Sequence, residues 1–254
     1  MSALRVSWLG HSTVVLDLDG VRLLTDPLLR PHAGLLRRIA PRPEEARWRG
    51  PDAVLISHLH HDHAELRSLR MLPDVPLMTS SPVAAWLAGK RLRGVAIGQG
   101  WTRVGTSEVE VRLVPAVHHH RPMPHRPNQA HGHLVRGPSA ALWVAGDTSL
   151  YPEMSSLPEM AGRSIDVGLV PVWGWGPRLS QGHMTPSEAA AACGLAEAGH
   201  GIPVHWGTLH PPLVARFARG WLERPGEEFA DALGRVAPDC QPVVMDPGES
   251  RDLL

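Results

Sequence analysis

Residues 57–65 read "SHLHHDHAE" and follow directly on "DAVLI" at 52–56. The short apolar run predicts a buried strand. It ends in four histidines and one aspartate within positions 57–63. Burying such side chains unpaired is costly, so packing gives no reason for them. In the pattern H-x-H-x-D-H, His58 and His60 share one face if the strand continues. A turn straight afterwards then brings Asp62 and His63 to the far side of a common centre. That arrangement suits two adjacent cations better than one four-coordinate ion.

Further donors end other apolar runs: His118 after "VEVRLVPAV", Asp147 in "WVAGDTS" and His205 in "IPVHWGT". A sheet delivers strand-terminal side chains to a shared rim, and a carboxylate such as Asp147 can bridge two ions. Imidazole and carboxylate donors without cysteine favour zinc first, then manganese or iron. The bland alternatives are surface or capping residues, or a structural zinc site.

Composition narrows the class. A chain of 254 residues predicts one domain spanning 1–254. Its 25 basic and 25 acidic residues cancel without long blocks of either sign, so no nucleic acid or anionic membrane is expected as a partner. A small-molecule substrate is expected instead, and the sequence leaves oligomerisation open. Cys193 and Cys240 are far apart in sequence and read as buried free thiols. Without a leader pattern or a long apolar stretch, the expected location is cytoplasmic. Sixteen histidines against one Tyr and two Phe exceed what a core needs for packing.

The opening runs "LRVSWLG", "TVVLDLDG" and "VRLLTDP" predict a meander, with Asp19-Gly20 as its tight turn. Helices are predicted over 81–90, from a Ser-Pro start and a Gly stop, and over 185–199, where Thr185, Pro186 and Glu188 form a capping box. Strands are predicted over 109–116, in "GHLVRG", and over 141–148 and 166–173, with "PVVMDPGE" closing the fold. The basic stretch 30–50 reads as a loop or lid. Residues 213–236 show helical periodicity interrupted at Pro225-Gly226.

In this order, "WLGHSTVVLDLDGVRLLTDP", "SHLHHDH", "VPAVH", "AGDT" and "PVHWGT" resemble the metallo-β-lactamase superfamily. More narrowly, they are similar to the branch containing bacterial ascorbate-6-phosphate lactonases and N-acyl phosphatidylethanolamine phospholipase D. The resemblance implies an α+β fold, a four-layer αβ/βα sandwich with the site at one edge between two sheets. It implies one metal on His58, His60 and His118, a second on Asp62, His63 and His205, and Asp147 bridging them. "GHMTPSEAA" matches a branch motif that would lean His183 toward the site, and His11 in "LGHST" recurs near the metals there. Either could instead bond backbone at a turn. Trp173 and Trp175 could wall an apolar pocket or belong to the core.

The sequence also departs from the superfamily. "PAVHHH" replaces the His-Thr-Pro-Gly-His found in glyoxalase-II-like members, which argues against a glutathione thioesterase. The absence of a leader and of a site cysteine argues against antibiotic hydrolysis. His119 or His120 could take the place of His118 if the loop register shifts, and His125, His131 and His133 are expected to face solvent.

The expected chemistry is hydrolysis of a small ester or lactone by a hydroxide shared between two cations. Asp62 would orient the nucleophile and His183 would stabilise developing charge. Phosphodiester cleavage is the alternative; it would want arginine at the rim, for which Arg121, Arg126 and Arg178 are candidates. A non-catalytic metal-binding protein is the competing class.

Overall fold

The computed structural model describes residues 2–118, 125–127, 129–212 and 220–254. The predicted meander is present as β1 (Leu4–Gly10), β2 (Thr13–Leu18) and β3 (Val21–Thr25), paired antiparallel. Next come β4 (His32–Ala33), β5 (Leu36–Arg38), α1 (Glu45–Trp48), β6 (Ala53–Leu55), α2 (Leu66–Leu69), β7 (Leu77–Thr79), α3 (Ser81–Gly89) and β8 (Gly94–Ala96). The second half holds β9 (Thr102–Arg103), β10 (Glu110–Pro115), β11 (His131–Arg136), β12 (Ala141–Val144), α4 (Leu157–Ala161), β13 (Val167–Pro171), α5 (Pro186–Leu195) and β14 (His200–Val204). It closes with β15 (Leu209–His210), α6 (Gly220–Glu223), α7 (Pro225–Val236), β16 (Gln241–Pro242) and β17 (Ser250–Asp252).

Two seven-stranded sheets result, ordered β17-β1-β2-β3-β6-β7-β8 and β16-β14-β13-β12-β11-β10-β9. Alternation assigns their faces. Leu4, Val6, Trp8, Val14, Leu16, Leu23, Ala53 and Leu55 join the large core, while Val15, Leu24 and Val54 pack outward against α2 and α3. Gly168, on the outer face of the second sheet, lies near Cys193 of α5. The layers are therefore helix, sheet, sheet, helix, the expected α+β sandwich. Both cysteines are free and buried. No helix among the described residues is long and apolar enough to cross a membrane.

Strand direction positions the site. In the first sheet β1, β3 and β6 run the same way, as do β10, β12, β13 and β14 in the second. The loops leaving their carboxyl ends carry His11, Asp26, His58–His63, His118, Asp147, Trp173 and His205. Such carboxyl-end crevices are where open α/β sheets bind ligands.

Several expectations need correction. The stretch 30–50 is not a bare loop: β4 and β5 form a hairpin that pairs with β15, where Arg38 lies opposite Leu209, a distant match that no local pattern announces. "PVVMDPGE" is not a strand beyond its first residue, Pro242, which ends β16. After β16 the chain leaves the second sheet and returns to the first, where β17 pairs with β1. The helix predicted to 199 ends at Leu195, and Glu197 takes a left-handed turn (φ 48°) into β14. Pro225 does not interrupt a helix but starts α7, where its missing N–H costs nothing. His133 does not face solvent; it is 1% exposed and shares a face of β11 with the buried Val135. His119, His120 and Arg121 lie outside the described residues.

Candidate metal centre

The histidine burst is not a continued strand. β6 stops at Leu55 and the chain turns, with the His63 and Ala64 amides both donating to the His60 carbonyl (3.1 and 2.8 Å). Three overlapping sets of donor atoms converge there, each with all its atoms within 4.8 Å of one another: His58, His60, His118 and Asp147; His11, Asp62, His63 and His205; and a smaller set of Asp147, His183 and His205 that links the other two. Asp147, 1% exposed, lies between the two larger sets. Its Oδ2 is 3.1 Å from His63 Nε2, 3.8 Å from His58 Nε2 and 3.9 Å from His118 Nε2; its Oδ1 is 3.3 Å from His205 Nε2. His183 Nε2 is 3.2 Å from the same Oδ2.

Hydrogen bonds on the far side of each ring set its tautomer. His63 Nδ1 donates to Asp26 Oδ2 (2.8 Å), His118 Nδ1 to the Gly182 carbonyl (2.8 Å) and His205 Nδ1 to the Trp173 carbonyl (3.1 Å). Ser57 Oγ donates to Asp26 Oδ2 at 2.6 Å, leaving its oxygen to accept from His58 Nδ1 at 3.0 Å. With Nδ1 committed to these outer bonds, four Nε2 atoms point inward, the side that metal-binding histidines offer once Nε2 is deprotonated. His58 Nε2, His63 Nε2, His205 Nε2 and Asp147 Oδ1 are buried without a hydrogen-bond partner among the described residues. Close contacts such as His63 to Asp147 lack hydrogen-bond geometry. Orphaned donor atoms aimed at a common space are what divalent cations fit.

Burial keeps most of these rings neutral: His58 well below the usual imidazole range, His60 at about 4 and His118 lowered. His11 is held at about 3 by burial and by His205, so its Nε2 carries a proton and donates to Asp62 Oδ2 at 3.0 Å. Burial also acts to lower His63 and His205, but the charge of Asp147 and its neighbouring carboxylates outweighs it. His63 ends well above the usual range and His205 at about 9. Burial would raise the carboxyls of Asp62 and Asp147, but the facing histidines hold both well below the ordinary range.

The backbone is built for this cage. His11, Asp26 and His205, at or near the ends of their strands, all have positive φ (53°, 34° and 63°), a conformation uncommon for such residues and concentrated at functional turns. Gly146 (φ 64°) could not be larger: a Cβ there would meet Ser57 Cβ at 2.8 Å and the His131 carbonyl at 3.0 Å. This close approach brings Asp147 against the histidine loop.

Every predicted metal-ligating residue lies in the cluster, and His183 joins it through the set it forms with Asp147 and His205. His11 sits beneath Asp62 and not at the mouth. Trp173 is half-buried, and Trp175 is 41% exposed on the adjoining loop. Sequence reasoning missed Asp26, Ser57 and Thr208, whose Oγ1 accepts from the His11 amide (2.7 Å). The Asp-Pro that ends β3 was the one available signal for Asp26.

A profile described as "Beta-lactamase superfamily domain" matches residues 21–206. The chain belongs to this superfamily. Among curated relatives, a UPF0173 metal-dependent hydrolase of Methanopyrus kandleri is 31% identical over 260 residues, covering 97% of this chain and 99% of its own. Another, from Pyrococcus furiosus, is 27% identical over 252 residues, covering 98% and 99%. The superfamily fold is also seen in Igni18, a metallo hydrolase of Ignicoccus hospitalis, with TM-score 0.74 and 22% identity over 98% of this chain and 97% of that one. Membership agrees with the cage: the relatives are metal-dependent hydrolases, and this chain has His/Asp clusters able to hold metal ions.

Proposed function

We propose that residues 1–254 form one hydrolase domain that cleaves small esters or lactones with two divalent cations, zinc before manganese or iron. His58, His60 and His118 would hold one ion and Asp62, His63 and His205 the other, with Asp147 shared. The observation that carries this is the Asp147 carboxylate, buried between two donor sets and within 3.9 Å of nitrogens from both. Bound cations at such a site supply ionised solvent at neutral pH and polarise an acyl oxygen.

The chain's own residues do the rest. Asp62, fixed through Oδ2 by the neutral His11, orients the attacking solvent. His183, anchored through Nδ1 by Ser180 Oγ (3.0 Å) and with its side chain 9% exposed, aims Nε2 at the cluster and serves as the donor to charge developing on the acyl oxygen. Trp173 and Trp175 wall the approach, and His11 supports the pocket from beneath Asp62.

Phosphodiester cleavage has less support. Arg126, the described rim arginine nearest the histidine loop in contact, spends its guanidinium on the Leu59 and Ala64 carbonyls (2.6 and 3.3 Å) and on His61 Nδ1 (3.1 Å). The test is turnover by zinc- and manganese-loaded protein across lactones, aryl esters and an activated phosphodiester. Ester or lactone turnover that falls in Asp62→Ala supports the reading. Turnover of the phosphodiester alone, or metal binding with no turnover, overturns it.

A further inference from the structure

Large apolar side chains with high exposure are few among the described residues: Leu35 (86%), Ile39 (45%), Trp175 (41%), Val236 (55%) and Leu254 (47%). Val236 ends α7 and Leu254 ends the chain. The other three hang on segments that brace the metal cage. Leu35 is at the turn of the β4–β5 hairpin, beside Gly34, where a Cβ would lie 3.8 Å from His61, between candidate ligands His60 and Asp62. The Ile39 amide donates to the Thr208 carbonyl (2.8 Å), and Thr208 Oγ1 holds the His11 amide. Trp175 is two residues from Trp173, whose carbonyl fixes His205, and that loop is closed by the Trp173 indole donating to the Gly176 carbonyl (2.9 Å).

The hairpin is not a floppy excursion. Arg38, the last residue of β5 at the base of the hairpin, donates to the carbonyls of Leu28 (3.2 Å), Pro41 (3.0 Å) and Leu9, and Leu28, Ala33 and Leu209 form a small core beneath it. A rigid base therefore presents apolar side chains to solvent beside a reactive centre. Neither 31–39 nor 173–178 contains an aspartate or glutamate, whereas Arg37 and Arg178 are exposed on them. Such a rim does not repel a carboxylate product.

We propose that Leu35, Ile39 and Trp175 form an apolar rim over the cage that selects substrates carrying a hydrophobic acyl chain of several carbons. The inference rests on the ester or lactone reading above and names its substrate class. Each methylene buried on such a surface is worth up to about fourfold in binding. A chain of four to six extra carbons therefore gains at least about tenfold even when it is only partly covered.

The test compares the zinc-loaded full chain with Leu35→Ser/Ile39→Ser and Trp175→Ser variants. kcat/KM is measured on aryl acetate, butyrate and hexanoate, and octanoate and acetate binding are measured by calorimetry. The expected result is a hexanoate-to-acetate ratio of kcat/KM of at least tenfold in the parent, carried by KM and reduced severalfold in each variant, with octanoate binding weakened in parallel. A ratio near one in the parent, or a ratio and octanoate affinity unchanged in both variants, overturns the proposal. So does a change confined to self-association, or to sedimentation with phosphatidylglycerol vesicles. Failure of the hydrolase reading is distinguishable: no ester of any length turns over, and octanoate calorimetry then decides the rim by itself.

Discussion

Asp26→Asn tests how the cage is supported without touching any proposed ligand. Asp26 is 2% exposed and its carboxylate accepts three hydrogen bonds: Oδ1 from the Ser57 amide (2.8 Å), and Oδ2 from Ser57 Oγ (2.6 Å) and His63 Nδ1 (2.8 Å). In the asparagine variant the amide oxygen can keep the Ser57 amide. The NH2 then faces His63 Nδ1–H and the Ser57 hydroxyl, donor against donor. His63 loses the bond that holds Nε2 inward, and the Ser57 hydroxyl that supports His58 must reorient. A charged hydrogen bond of this type contributes about 1.5–3 kcal/mol, matching the about 10–100-fold in metal affinity that outer partners of metal-binding histidines usually carry. The assay is zinc competition against a chromophoric chelator, read as two stepwise constants. The site containing His63 should weaken by that factor and the site containing His118 by much less. An affinity unchanged within about twofold, set against the tenfold expected, would refute the argument that Asp26 positions His63.

Gly146→Ala forces a Cβ into a left-handed turn (φ 64°) already filled by Ser57 and the His131 carbonyl; strain of about 1–3 kcal/mol plus the clash should lower the midpoint in urea and displace Asp147, seen as loss of one zinc per chain. Zinc loading should release protons at pH 7, because Asp147 and Asp62 keep His205 protonated up to about 9 in the metal-free protein; release should fall as pH rises through that value, measured by calorimetry in buffers of different ionisation enthalpy. Thr185→Ala removes a capping box in which Thr185 Oγ1 accepts from the Glu188 amide (3.3 Å); it should cost about 1 kcal/mol, or about 2–4 °C in melting temperature at this size, while leaving zinc stoichiometry unchanged.

The parts of the site legible in sequence are those where chemistry is dense. His58, His60, Asp62 and His63 announce themselves because so many donors in one short stretch defeat any packing explanation. His118, Asp147 and His205 are legible because each follows an apolar run. Asp26 is not, since it lies 37 residues from His63 and only the parallel pairing of β3 with β6 (Thr25 opposite Leu55) closes that gap. The β4–β5 hairpin was hidden for a related reason: its strands are two and three residues long, too short for a period, and their partner β15 lies far downstream. His133 belongs to no metal motif, which is why solvent is expected for it; its place in β11 buries it instead and holds the ring neutral, at about 3. The apparent closing strand failed because "PVVMDPGE" crosses between sheets, and β-rich composition does not reveal which sheet a segment serves.

The most direct measurement is elemental analysis of the protein after zinc reconstitution and exhaustive dialysis, alongside His58→Ala, Asp62→Ala and Asp147→Ala. A shared-carboxylate cage predicts two equivalents per chain in the parent and a loss in every variant. A single equivalent that survives Asp62→Ala and Asp147→Ala would contradict it.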